Sequence, residues 1–126
     1  NYYYTIDNPE NKKFVEAYKK KFKGVPPGYA GAAGYGLMKM TLLGMQKSGS
    51  TEPQKVITAL EEHKGKNFVG DFEIRGRNHQ TVRPFFVLQT KKKNEMKNQY
   101  DMAEVVDVSS TEQPKNINMC KDIGSF

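Results

Sequence analysis

The side chains that most often carry out chemistry are few in this sequence and are not grouped. His63 and His79 are its only histidines, and neither has a cysteine or carboxylate at the spacing of a metal site. His63 falls on the edge of an apolar helix face, where we expect a packed, neutral imidazole, and His79 falls in a turn, where we expect a bond to nearby backbone. Glu61 and Glu62 are adjacent on a predicted helix, so their carboxylates point apart.

Nucleophiles and phosphate-binding loops give no stronger signal. No serine stands in a nucleophile elbow, and no glycine-rich loop has the spacing that binds phosphate. The single cysteine, Cys120, supports neither an internal disulfide nor a metal cluster. It is either an inert thiol or, in a piece of an exported protein, a thiol with its partner elsewhere. We therefore predict a protein that is not an enzyme, without catalytic residues, bound metal or cofactor.

Tyrosines are the side chains here that best suit an organic ligand, because an aromatic ring with a polar tip offers both packing and a hydrogen bond. Those in the first part of the chain are Tyr2, Tyr3, Tyr4, Tyr29 and Tyr35. The alternative, favoured by the pattern as a whole, is that they are core and sheet residues. Tyr3, in a predicted strand, and Tyr29, at a predicted helix start, are the predicted ligand contacts.

The chain is basic, with a net charge of +6 over 126 residues, a length typical of one domain. Its lysines form two clusters that are separate in sequence, Lys12, Lys13, Lys19, Lys20 and Lys23, and Lys91, Lys92 and Lys93. Aromatic residues do not alternate with these lysines as they do on a platform that stacks bases. The clusters therefore favour solvated faces over a nucleic-acid partner. No apolar run is long enough to cross a membrane.

Local signals predict the first elements of the fold. Aromatic and β-branched residues predict a strand over Tyr2–Ile6, and Asp7 or Asn8 is placed to cap a helix that ends at Gly24. A second helix, from Gly28 to Lys47, is apolar around nearly its whole circumference, so we expect neighbours on several sides. Its glycines predict close approach of those neighbours.

The rest of the described pattern is a short helix followed by strands. The third helix begins near Thr51, which has capping-box spacing to Gln54, and ends at Lys64-Gly65. Strands are predicted at 71–75, 82–90 and 102–108, with a turn at 76–79, a polar connection at 91–99 and an irregular tail from 109 to 126. The fold class is α/β, with three helices, short strands and a C-terminal strand pair.

The order of these features resembles a known family. The matching pieces are Asp7-Asn8-Pro9-Glu10-Asn11-Lys12-Lys13-Phe14, Ala33-Gly34-Tyr35-Gly36-Leu37, Ser48-Gly49-Ser50, Phe68-Val69-Gly70-Asp71-Phe72, Asn78-His79-Gln80 and Arg83-Pro84-Phe85-Phe86-Val87. Together they resemble the last third of the type I periplasmic solute-binding proteins, the branched-chain amino-acid receptor family. The Tyr35-Gly36 pair and the lysine-rich connection at 91–97 depart from the usual pattern and leave the ligand open.

The resemblance implies part of a two-lobe fold in which a solute is held between the lobes. Residues 1–7 are then a crossover strand, 8–81 the helical part of the N-terminal lobe, 82–108 strands returning to the other lobe, and 109–126 a tail. The implied function is capture of a small solute (an amino acid, an amide or an aromatic acid) for an ABC permease. The implied location is periplasmic or extracellular, either free or lipid-anchored, with a signal peptide in the full-length protein.

Two alternatives stay open at this point: a small basic nucleic-acid-binding protein and a protein-interaction domain without a small ligand. The second helix and the last strands, with residues such as Phe85 and Val106, carry more apolar surface than a chain of 126 residues can bury. We therefore expect the chain to be a C-terminal fragment that self-associates and binds no solute with useful affinity by itself.

Overall fold

A computed structural model describes residues 2–76 and 78–110 of the chain. Its helices are α1 (Pro9–Lys21), α2 (Tyr29–Ser48) and α3 (Pro53–Leu60), and its strands are β1 (Lys64–Asn67), β2 (Gly70–Ile74), β3 (Thr81–Val82), β4 (Pro84–Thr90) and β5 (Ala103–Ser110), with a 3-10 turn at Lys93–Glu95. None of the helices in these ranges is both long and apolar enough to cross a bilayer. Cys120 and most of the predicted tail lie outside the described residues.

The strands form two separate antiparallel sheets. One has the order β1-β2-β3, and the other is the β4–β5 hairpin. The single strand predicted over 82–90 is therefore divided at Arg83, where the chain passes from one sheet to the other. The division coincides with a close approach, because a Cβ atom at Gly70 would lie 2.9 Å from the ring of Pro84. The missed strand β1 is polar, and only pairing with β2 makes it a strand.

The opening segment is not the strand that its tyrosines predicted. Tyr4 and Thr5 form a turn, and the Ile6 amide donates to the Tyr3 carbonyl at 3.2 Å. The buried Asn11 side chain donates to the carbonyl oxygens of Tyr4 at 3.0 Å and Ile6 at 2.8 Å. A side chain thus satisfies backbone groups that a neighbouring strand would otherwise pair, and the segment follows α1 instead of a sheet.

Helix α1 begins and ends much as its sequence predicted. Asn8 is the N-cap, and its side-chain oxygen accepts from the amide of Glu10 at 2.8 Å and of Asn11 at 3.4 Å. Phe14 and Val15 are buried on the predicted apolar stripe. The chain leaves the helix through Lys23 and Gly24, both with positive φ. The local signals at both ends are sufficient to define this helix.

Helix α2 has its predicted range and is covered on one side. Only Ala32 and Gly44 are buried, whereas Leu37 is 72% exposed. Gly44 is the close approach that the small residues predicted, since a Cβ there would lie 2.7 Å from Val56 of α3. Helix α3 and the core cover one side of α2, and nothing in the described ranges covers the other, as expected for an apolar helix that this chain has too few elements to surround.

Helix α3 is shorter than predicted at both ends. Glu52 is its N-cap without a side-chain hydrogen bond, so the capping box proposed for Thr51 and Gln54 does not form. The helix stops at Leu60, and Glu62 adopts a positive φ of 56°. Glu61, Glu62 and His63 therefore belong to a connection leading into β1, and the helical geometry assumed for them is wrong.

One core joins the opening segment, α1, α2 and the hairpin. Its buried members are Tyr2, Ile6, Phe14, Val15, Ala32, Phe68, Val69 and Phe86. The centroids of the Phe14 and Tyr35 rings are stacked at 4.4 Å, and the Tyr2 and Phe68 rings meet edge to face at 5.7 Å. The hairpin joins this core through Phe86, with Leu88 and Val105 packed beside it. Its opposite face leaves Phe85 and Val87 each 42% exposed.

Candidate functional site

An apolar groove lies between α2 and the segment that precedes β2. Its volume is about 270 Å³. The residues that line it are Tyr2, Tyr29, Ala32, Ala33, Gly36, Leu37, Met40, Asn67, Phe68, Val69, Thr81 and Arg83. Small-molecule sites in proteins combine such an apolar lining with a few polar groups that fix orientation.

Small residues of α2 leave the room for this groove. Gly36 faces the Phe68 ring closely enough that an added Cβ would lie 3.2 Å from it, and Ala32 is almost fully buried. Phe68 is held in place by edge contacts with Tyr2 and Tyr35. The floor is therefore rigid and apolar, and it suits a hydrocarbon or aromatic surface.

Polar groups of the groove come from three places in the chain. Tyr29 contributes from the first turn of α2, Asn67 from the end of β1, and Thr81 and Arg83 from the junction between the two sheets. Arg83 is the one charged residue among the described residues that line the groove. A guanidinium recognises a carboxylate through paired hydrogen bonds, so the groove favours an anionic group on a bound molecule.

The two predicted ligand contacts lie in different places. Tyr29 lines the groove with its ring 61% exposed. The Tyr3 hydroxyl instead donates to the Tyr100 carbonyl at 2.7 Å and accepts from the amides of Met102 at 2.8 Å and Ala103 at 3.1 Å. Tyr3 thus ties the opening segment to the hairpin, and it is Tyr2 that lines the groove.

The Tyr2 hydroxyl is fully occupied within the protein. It donates to the side-chain oxygen of Asn11 at 2.8 Å, and burial raises the pKa of this hydroxyl far above its usual range. Tyr2 therefore offers only its ring to the groove. Sequence reasoning included Tyr2 among the tyrosines that could contact a ligand without choosing it, and it missed Phe68 and Arg83. The arginine reaches the groove only because the chain returns toward α2 at the sheet junction.

The acidic pair and the histidines have structural partners. Glu61 contacts Nε2 of His79 at 2.9 Å, and Glu62 accepts from the Gly76 amide at 2.8 Å. Both carboxylates therefore hold the turn between β2 and β3. His79 thus has a carboxylate partner, and its expected bond to nearby backbone stays a prediction. Within the described ranges, no three acidic, histidine or cysteine side chains come together as a metal site.

His63 is the packed, neutral imidazole that the sequence predicted. Its ring lies 5.6 Å from that of Phe72, and Nδ1 is 3.0 Å from the Lys47 ammonium. Burial, and then the charge of Lys47, lower the pKa of the imidazole below its usual value. The neutral ring accepts a hydrogen bond from the lysine and links the end of α2 to β1.

A second, larger concavity of about 770 Å³ lies where the two sheets meet. Its rim carries the ion pairs Lys64–Glu73 at 3.2 Å and Lys66–Asp71 at 3.5 Å. Arg83 lines both concavities, but only the groove beside α2 also includes Tyr29, the predicted ligand contact, and the aromatic rings of Tyr2 and Phe68. We therefore regard the α2 groove as the candidate site.

The fold is of the α/β class, with three helices, a small sheet and a strand pair. The chain belongs to the periplasmic binding protein family, whose family model matches residues 1–95. The resemblance noted in the sequence is thereby confirmed, as is the α/β fold class. No curated protein is similar enough to count as a relative.

Solved structures with the same fold agree with this assignment. An amino acid ABC transporter substrate-binding protein from Pseudomonas fluorescens Pf-5 is 27% identical, with a TM-score of 0.82 over 90% of this chain and 30% of its own. An ABC-type branched-chain amino acid transporter protein from Rhodopseudomonas palustris CGA009 is 26% identical, with a TM-score of 0.69 over 85% of this chain and 28% of its own.

A third structure extends the similarity in fold. It is the solute binding protein of an ABC transporter from Rhodopseudomonas palustris BisB5, solved in complex with 3,4-dihydroxybenzoic acid, with 20% identity and a TM-score of 0.74 over 91% of this chain and 31% of its own. The chain therefore spans about 30% of the length of the solved structures that it matches.

Proposed function

We propose that this chain is part of the substrate-binding component of an ABC importer, which captures a small amino-acid-like or organic-acid solute outside the cytoplasm. The observation that carries the proposal is the TM-score of 0.82 over 90% of the chain to an amino acid ABC transporter substrate-binding protein. Neither alternative, a nucleic-acid-binding protein or a protein-interaction domain, has comparable support.

The proposed division of the chain keeps residues 1–7 as a crossover segment, 8–81 in one lobe and 82–108 in the other. The change of sheet at Arg83 supports the boundary near 82, because the chain there leaves β3 and begins a separate strand pair. Segments that link two lobes act as hinges when a receptor closes on its ligand. In this proposal Tyr3, bonded to the hairpin, belongs to that hinge region.

The proposed ligand is an amino acid, an amide or an aromatic acid. Arg83 would take its carboxylate and Tyr29 would contact its side chain, with the apolar floor at Phe68 below. Tyr3 would contribute its ring, because its hydroxyl is already bonded to Tyr100, Met102 and Ala103. The two neighbours that carry amino-acid names, at 26% and 27% identity, support the amino-acid class.

The finer features of this function are proposals of the same kind. We place the protein in the periplasm, with an ABC permease in the membrane as its partner, no cofactor and no enzymatic activity. A lipid anchor on the full-length protein stays a prediction. Mass spectrometry of the mature protein would detect a covalent lipid directly.

The experiment that tests the proposal is a thermal-shift screen of the full-length protein with amino acids, amides and aromatic acids. A bound solute at about 100 times its Kd stabilises the folded protein by about 2.7 kcal/mol, which gives a clear shift. We expect Arg83→Gln to remove the shift and Lys55→Gln, a matched loss of one charge on α3, to keep it. If no solute of these classes shifts the unfolding temperature, the proposal is wrong.

The isolated chain is proposed to self-associate and to lack useful solute affinity. Leu37, Met38 and Leu42 of α2 are each more than half exposed, and the hairpin exposes Phe85 and Val87. Contiguous apolar surface of this kind is usually removed from water by association. Light scattering at low concentration tests this, and a monomer with sharp, cooperative unfolding would contradict it.

A further inference from the structure

The described lysines divide into two groups that differ in their partners. Lys12, Lys13, Lys39, Lys55, Lys64, Lys66 and Lys91 each lie 2.7 to 3.9 Å from a carboxylate oxygen. Lys47 contacts His63 instead. The lysines that form no ion pair within the described residues are Lys19, Lys20, Lys21, Lys23, Lys92, Lys93 and Lys97. They all fall in two short segments, at the end of α1 and in the connection between β4 and β5.

A chain of contacts through tyrosines joins these two segments. The Lys19 ammonium lies over the Tyr4 ring, 5.5 Å from its centroid, and the Tyr3 ring lies 4.9 Å from that of Tyr4. Tyr3 in turn bonds to Tyr100. The clusters that are far apart in sequence therefore belong to one surface, which we call the basic edge: residues 19–23, 92–97 and the tyrosines between them.

Two carboxylates hold the second segment in shape and offset only part of its positive charge. Asp101 accepts from the Lys91 ammonium at 2.7 Å and from the Lys97 amide at 3.0 Å. The Glu95 carboxylate accepts a hydrogen bond from the backbone amide of Lys92 at 2.8 Å. The ammonium groups of Lys92, Lys93 and Lys97 are consequently left facing solvent as a group of like charges.

Exposed apolar side chains lie among these cations. Phe22 is 45% exposed and stands between Lys21 and Lys23, and Met102 is 54% exposed beside the Tyr3 contact. Water solvates the lysines but does not favour an exposed phenylalanine ring among them. A lipid surface does, because an aromatic ring enters the interface while flanking lysines reach the headgroups.

We propose that the basic edge binds the anionic surface of a phospholipid bilayer, with the lysines of residues 19–23 and 92–97 on the headgroups and Phe22 in the interface. Lysine near an anionic membrane contributes attraction that adds up over several residues. The lysines of the basic edge and Phe22 do not line the α2 groove, so this binding is separate from the proposed solute site there. Nucleic acid is the less suitable partner, because Tyr3 and Tyr4 are partly buried and pack against each other instead of alternating with the lysines.

The test is co-sedimentation of the full chain with phosphatidylcholine vesicles made with and without phosphatidylglycerol. We expect binding only when phosphatidylglycerol is present, and loss of that binding as salt rises from about 0.05 M to about 0.5 M. Lys20→Gln with Lys23→Gln, and separately Lys92→Gln with Lys93→Gln, should each weaken binding about 25-fold, since each lysine contributes about fivefold. Phe22→Ser should weaken binding about tenfold.

The matched control is Lys55→Gln with Lys64→Gln, which removes the same charge from ion-paired lysines and should change binding less than about threefold. Circular dichroism checks that every variant stays folded. The proposal of a single basic edge would be overturned if the control variant weakened binding equally. It would also be overturned if only one of the two lysine-pair variants weakened binding. Binding of duplex DNA as tight as that of vesicles, and unaffected by Phe22→Ser, would overturn it in favour of a nucleic-acid surface.

Discussion

Helices α1 and α2 are neighbours in sequence and pack on the same core, yet they relate to the rest of the chain differently. α1 has a side-chain cap at Asn8, one buried stripe through Phe14, and lysines on its other side. α2 has no side-chain cap, and its apolar residues point both to the core and to solvent, with Leu37 72% exposed. The first helix is complete within this chain, and the second presents a face that nothing in the described ranges covers.

The difference shows how a helix records its environment. A helix with one apolar stripe needs one neighbour to bury it, whereas a helix that is apolar on all sides needs several neighbours. The chain spans about 30% of the length of the solved structures that it matches. We propose that the exposed face of α2 packs against other parts of a longer fold.

The largest expected effect separates the two helices directly. Phe14→Ala in α1 should lower the free energy of unfolding by about 4 kcal/mol, because it removes a ring packed against Tyr35 and Phe68 and leaves a cavity. Leu37→Ala in α2 should cost less than about 0.5 kcal/mol, because that side chain is mostly in water. Urea unfolding measures both, and similar losses would mean that α2 is covered after all.

A second change tests the polar side of α1. Asn11→Ala should cost about 3 kcal/mol, because it leaves the carbonyl groups of Tyr4 and Ile6 and the Tyr2 hydroxyl without their buried partner. Lys12→Ala, on the exposed side of the same helix, serves as the control and should change stability by less than about 0.5 kcal/mol. If Asn11→Ala cost no more than Lys12→Ala, the opening segment would not depend on that side chain.

A third change tests the covered side of α2. Gly44→Leu should destabilise the protein by about 2 kcal/mol, because even a Cβ would lie 2.7 Å from Val56 and 3.0 Å from Leu60. Gly34→Ala, where an added Cβ meets nothing within 4 Å, should instead stabilise by about 1 kcal/mol through helix propensity. Thermal unfolding measures both, and two changes of the same sign would contradict one-sided packing of α2.

The smallest expected effect concerns the end of α2. The pKa of His63 is lowered in the folded protein, so the neutral ring favours folding, and that contribution is present above about pH 6.5. As the pH falls through the lowered folded pKa, the contribution is lost, since a charged ring faces Lys47. We expect the unfolding temperature to fall slightly below pH 6.5 and His63→Gln to flatten that slope. A slope of the opposite sign would mean that the folded state favours the protonated ring.

Sequence reasoning predicted what local signals determine. It placed α1 with a cap at Asp7 or Asn8, the range of α2, strands close to β2 and β5, and the family. It failed where a local signal had a competitor in the tertiary structure. The tyrosines of the opening segment favour a strand, but Asn11 takes its carbonyl groups. Thr51 and Gln54 have capping-box spacing, but the helix begins at Pro53, after Glu52.

The candidate site was only partly predictable. Tyr29 was named because a tyrosine at a helix start is visible in the sequence, and it does line the groove. Tyr2 and Tyr3 are adjacent and alike, and only the packing shows that Tyr2 faces the groove while Tyr3 bonds to Tyr100. Arg83 lies 54 residues beyond Tyr29 in the chain, and no pattern of spacing connects them.

The sequence by itself determined the class of this protein, because capping residues, hydrophobic periodicity and the order of short motifs are all local properties. Only the tertiary structure decided which side chains meet: Asn11 with the opening segment, Arg83 with α2, and Lys19 with Tyr4. These contacts join residues that are separated in the sequence. Packing of the whole chain determines them, because local conformational preferences act only over a few residues.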